Sequence, residues 1–226
     1  MPASPALRTA TLARIAPFAF FIVVLAVRGE LPTEVGLDTR WIYAVAVIGV
    51  GALLAWWWRE YGELAAQNRP TGRELALALA VGGVVFWAWI NLDAPWMRIG
   101  EPSAEFRPVD AAGNLDRPLI VFRVAGAALV VPVMEELFWR SFLMRWLHAA
   151  PFEGVDPRRV GPRAVVMSTF VFMLAHTQWL AAIVAGLAYA WLYIRCGKLW
   201  VAVIAHAVTN SALAAWVVHG AHWQFW

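Results

Sequence analysis

The residues of this chain whose types and spacing suit chemistry stand in three short patterns: Glu135-Glu136 with Arg140, Phe172 with His176, and His206 with Asn210. In each, the partners are one helical turn apart and share a face. A carboxylate followed by arginine at that spacing is the favourable order for an ion pair, so Glu136 and Arg140 are expected to neutralise each other. Glu135 sits about 100° further round the helix and has no local basic partner. It must be satisfied by a proton, a histidine, a metal or water. A buried carboxylate beside a histidine has the parts of a general base for water, and an amide such as Asn210 donates to an oxyanion without adding charge. Taken singly, each residue has a plainer reading as interhelical glue. Their coincidence in one chain favours the chemical one.

The surroundings make these groups costly. The chain is 62% hydrophobic and 15% charged, against about 25% charged in soluble domains, and its mean hydropathy is +0.62. That balance indicates an integral membrane protein, in which a charge at mid-bilayer costs at least ~2.5–3.5 kcal/mol. Most of the fifteen tryptophans read as aromatic belts at the membrane surfaces. The single cysteine excludes an internal disulfide framework. The net charge of +3 comes from basic residues lying between apolar runs, not from a block, so no nucleic-acid partner is indicated. No CxxC, H-E-x-x-H or Gly-rich phosphate loop occurs.

The elements that must position the patterns form an all-α polytopic transmembrane bundle of seven or eight spans in a single membrane domain, residues 1–226. An N-terminal part, 1–117, holds spans near 15–31, 41–58 and 74–92 and an acidic external loop; residues 118–218 form the helical core. A helix over 118–148 would be ~45 Å long, more than a ~30 Å hydrocarbon core needs. It is expected to tilt, kink near Pro132 or break, and a separate crossing by 137–148 would make the eighth span. Both glutamates fall near its middle. After a basic loop, 151–163, a helix reaches His176 in about thirteen residues, or roughly 20 Å, and so ends inside the membrane. Spans near 179–194 and 199–218 follow. Arg8 and Arg14, with no acid among the first fourteen residues, place the N-terminus in the cytoplasm. The first apolar run lacks a small-x-small cleavage site and reads as a retained span.

The combination E-E-x-x-x-R at 135–140, F-x-x-x-H at 172–176 and H-x-x-x-N at 206–210 resembles the CPBP intramembrane proteases. That family includes type II CAAX prenyl endopeptidases and Abi-type bacteriocin-processing or self-immunity proteins of bacteria. The run leading to His206, L-Y-I-R-C-G-K-L-W-V-A-V-I-A-H, is similar to the family's approach to its last histidine. Length and layout also resemble a CAAX-protease-related group linked to exosortase protein-sorting systems. The resemblance covers about 118–215 and implies that Glu135 and His176 activate water, that His206 and Asn210 hold the oxyanion, and that Glu136, Arg140 and Phe172 support the site. It further implies an endopeptidase of the plasma (inner) membrane acting on a membrane-associated protein or peptide, through a cavity open to the cytoplasm. The alternative is a non-catalytic scaffold or immunity-type protein of the same fold. No cofactor is expected, because no close ligand pair such as H-x-x-x-H occurs. Were zinc used, Glu135, His176 and His206 would be its ligands.

Overall fold

The computed structural model describes residues 5–30, 38–100, 106–110 and 112–226. Seven principal helices run through them: α1 Pro5–Glu30, α2 Ile42–Trp56, α3 Gly72–Asn91, α4 Arg117–His148, α5 Pro162–Leu174, α6 Trp179–Cys196 and α7 Leu199–Gly220. Short 3-10 turns punctuate the loops, and the described residues include one isolated antiparallel bridge, Val109 with Leu115, but no strand. Every principal helix except α5 is long and apolar enough to cross a membrane. Side chains such as Val45, Val84 and Leu129 project outward from them, an apolar surface suited to lipid rather than water. The chain is a multi-pass helical membrane protein.

Helix α4 is continuous over 32 residues, so residues 137–148 make no separate crossing. Two π-helical stretches, Gly126–Val130 and Leu137–Met144, widen it. Pro132 lies two residues beyond the first, where the wide turn relieves the clash between its ring and the preceding turn. Glu135 and Glu136 lie in the α-helical segment between the two stretches. Helix α5 has 13 residues and stops before His176, as its length predicted.

Local chemistry sets the helix ends. Asp116 caps α4 by accepting from the Leu119 N–H, Thr71 and Glu74 form a capping box on α3, and Gly197 closes α6 with φ +69°. Close crossings come from glycine. A Cβ at Gly82 of α3 would lie 2.6 Å from the Ala205 carbonyl oxygen of α7, and one at Gly186 of α6 would lie 2.8 Å from Thr169 of α5.

Contacts among the loops define two opposite faces of the bundle. On the first, Arg14 of α1 forms an ion pair with Glu63 (2.7 Å), Ser141 donates to the same carboxylate, Lys198 pairs with Glu74, and Arg158 donates to the Cys196 carbonyl. Burial opposes ionisation of Glu63, but Arg14 and the hydrogen bonds it receives outweigh that and hold its carboxyl below the usual glutamate range. On the second face, Arg40 donates to the Val109 carbonyl, the Ile99 N–H to Thr177, and Trp179 to the Trp96 carbonyl. The segment 222–226 folds back there, with Trp226 accepting from the Phe106 N–H.

Candidate active site

Glu135, His176, His206 and Asn210 line one cavity of about 360 Å³ between α4, α6, α7 and the α5–α6 break. Four positions spread over 75 residues of sequence, 135 to 210, thus meet in one space. The i,i+4 pairs expected from spacing are present, but their partners go further than spacing could indicate.

Glu136 points away from the cavity and is fully buried. Its Oε1 accepts from Arg140 Nη1 at 3.0 Å and from His206 Nδ1 at 2.9 Å. A carboxylate can only accept, so the bond fixes a proton on Nδ1 and leaves Nε2 for the cavity. The His206 ring stacks on Tyr189, centroids 5.0 Å apart. The Tyr189 hydroxyl donates to Thr209 (2.7 Å), which in turn donates to the Gly82 carbonyl of α3. This chain of contacts holds the imidazole in one orientation. Arg140 is sandwiched by rings, 4.6 Å from the Phe172 centroid and 5.3 Å from that of Tyr189. Cation and ring quadrupole reinforce the ion pair in a dry setting.

His176 Nδ1 lies 2.8 Å from the Phe172 carbonyl oxygen, which also accepts from the Ala175 N–H (3.1 Å) where α5 ends. The ring therefore donates through Nδ1 and presents the Nε2 lone pair. Phe172 packs against it at 4.3 Å and against Trp139 at 5.5 Å. Asn210 donates one amide hydrogen to the Ala127 carbonyl in the first π-helical stretch (2.8 Å) and keeps the second. Glu135 Oε2 is buried with no hydrogen-bond partner among the described residues. A carboxylate oxygen is not left bare in a polar cavity without water or a ligand to serve it.

Among the described residues, no three His, Cys, Asp or Glu side chains are grouped closely enough to hold a metal ion.

The cavity also has a direction. Beyond the four polar groups its wall continues through Tyr43, Arg123, Phe225 and Trp226, which belong to the second face. A cytoplasmic N-terminus and a cavity opening to the cytoplasm therefore exclude one another, because Arg14 and the basic loops occupy the first face. Sequence patterns gave no sign of Tyr43, Arg123, Tyr189 or Thr209 as site residues. Only the adjacency of Thr209 to Asn210 could have drawn attention to it.

Fold and site define a polytopic membrane protein with a carboxylate, two imidazoles and an amide gathered in an interior cavity. Residues 117–212 match the family of Rce1-like type II CAAX prenyl endopeptidases. The match carries a CAAX-protease-like intramembrane enzyme and a membrane-associated substrate. No curated protein and no solved structure matches the chain.

Proposed function

We propose that the protein is a glutamate-type intramembrane endopeptidase needing no metal, in which Glu135 is the general base. The observation that carries this is the unpartnered Glu135 oxygen in the cavity that His176, His206 and Asn210 also line. A water bound there donates one hydrogen to Glu135 and the other to His176 Nε2. Glu135 takes its proton as the water oxygen bonds to the scissile carbonyl carbon. The resulting oxyanion receives the free Asn210 N–H and the His206 Nε2–H, the latter present when His206 is an imidazolium stabilised by Glu136. When the C–N bond breaks, the proton held by Glu135 passes to the departing nitrogen. Glu136 and Arg140 do not meet the substrate in this scheme. They position His206.

The bias of arginine and lysine toward the first face, with Arg59, Arg69, Arg73, Arg158, Arg159 and Arg163 in its loops, supports assigning that face to the cytoplasm of a plasma (inner) membrane. The cavity then receives substrate from the opposite side. Comparing newly formed termini of membrane proteins in cells carrying wild type or Glu135→Gln tests the activity. New termini confined to wild type are expected; identical sets from both would leave a scaffold of the same fold as the better account. A cysteine placed at Thr177 tests the orientation: a membrane-impermeant maleimide should label it in intact cells, and labelling only after lysis would reverse the assignment.

A further inference from the structure

The end of the cavity away from Glu135 holds a cation that the proposed chemistry does not use. Arg123 of α4 lines the cavity, and its guanidinium stands 4.4 Å from the Tyr43 ring centroid and 5.6 Å from those of Phe106 and Trp226. Among the described residues it forms no ion pair, and its Nε is buried without a hydrogen-bond partner. The Tyr43 hydroxyl, on a side chain 2% exposed, is buried and unpartnered in the same way and lines the same cavity. A second arginine, Arg28, stands 5.5 Å from the Phe106 centroid, with the Asp38 carboxylate close enough to act on it, so Arg28 has an acidic neighbour that Arg123 lacks among the described residues. Rings covering the guanidinium leave its in-plane N–H edge free, the edge that meets a carboxylate.

Buried donors are normally satisfied, and two unpartnered donors, one of them on a guanidinium with no ion pair among the described residues, ask for an anionic acceptor. We propose that Arg123 and Tyr43 form an acid-binding subsite that takes a carboxylate of the substrate and so sets which bond reaches Glu135. This rests on the endopeptidase reading. Arg123 and Glu135 are twelve positions apart on one helix, ~18 Å along its axis. An extended peptide rises about 3.3 Å per residue, so the carboxylate lies about five residues from the scissile bond. It is supplied either by a chain end or by an Asp or Glu side chain.

The test uses full-length Glu135→Gln protein in non-ionic micelles, so that its result does not depend on proteolysis. Phenylglyoxal modification of Arg123 is followed by peptide mass spectrometry in the presence of four probes. These are an N-dodecanoyl pentapeptide with a free terminal carboxylate, its carboxamide, the carboxamide with a terminal Glu residue, and dodecyl phosphate. The free acid or the Glu-carboxamide should slow modification of Arg123 at least tenfold while leaving Arg98, already paired with Asp93, unchanged. Which of the two protects identifies the source of the carboxylate. Tyr43→Phe should weaken that protection. Equal protection by the neutral carboxamide, no protection by any probe, or protection by dodecyl phosphate alone, the mark of a lipid-headgroup site, would each overturn the proposal. Loss of cleavage by wild type with protection intact would instead remove the endopeptidase reading and leave the subsite standing.

Discussion

Two neighbouring glutamates should answer the same substitution to very different extents. Glu136 is fully buried and is the only described carboxylate within ion-pair distance of Arg140, itself 3% exposed. Glu136→Gln leaves a guanidinium in an apolar interior with a neutral neighbour and replaces the carboxylate shared by Arg140 and His206 with one weaker, uncharged acceptor oxygen. Breaking one side of a buried pair costs ~3–5 kcal/mol, roughly a 10²- to 10⁴-fold fall in the folded-to-unfolded ratio. Glu135 has no such partner, and its Oε2 is unbonded. Glu135→Gln removes a buried charge without orphaning another and should change stability by less than ~1 kcal/mol. Denaturant titration of both variants in micelles, followed by circular dichroism, measures the difference. Equal destabilisation, or a Glu136→Gln protein as stable as wild type, would refute the division of labour between the two.

Other consequences can be measured separately. Asn210→Ala should lower kcat by ~10²–10³ with a small change in stability; an unchanged kcat would take the amide out of the reaction. Gly82→Ala should destabilise by ~1–3 kcal/mol, because its Cβ would meet the α7 backbone, whereas Gly83→Ala, with nothing within 4 Å, should not. The Glu63 carboxyl has its pKa lowered in the folded state, so its stabilising contribution is complete above the ordinary glutamate value of ~4.3 and fades as pH falls through the lower, folded one. The stability advantage of wild type over Glu63→Gln should therefore shrink in acid, and an advantage constant down to pH 3 would contradict this. Cleavage should survive exhaustive chelation, and loss restored by added zinc would reverse the assignment of metal independence.

What could be read from the sequence follows the range of the interaction. The Glu136–Arg140 pair and the Phe172–His176 contact lie within or at the end of one helix, and spacing alone indicated them. The shortness of α5 was legible as well, because a basic loop fixes one end and Thr177-Gln178 the other. The bond between Glu136 and His206 joins residues seventy positions apart, and no periodicity carries that information. Helix α4 was expected to tilt, kink near Pro132 or break. The first of its two wide turns absorbs the proline by a change of hydrogen-bond register that leaves no signature in hydropathy. The direction of the cavity depends on how Arg123, Tyr43 and the 222–226 segment converge, which is a property of packing.

The central claim is that Glu135 activates the water that cleaves the peptide bond. It is tested most directly by reconstituting the protein in liposomes with a substrate found by terminus mapping and measuring cleavage by wild type and Glu135→Gln in water enriched in oxygen-18. The account predicts one labelled oxygen in the new carboxyl terminus made by wild type and a rate at least ~10²-fold lower for a Glu135→Gln protein that unfolds at the same denaturant concentration. Cleavage by that variant at the wild-type rate would contradict it.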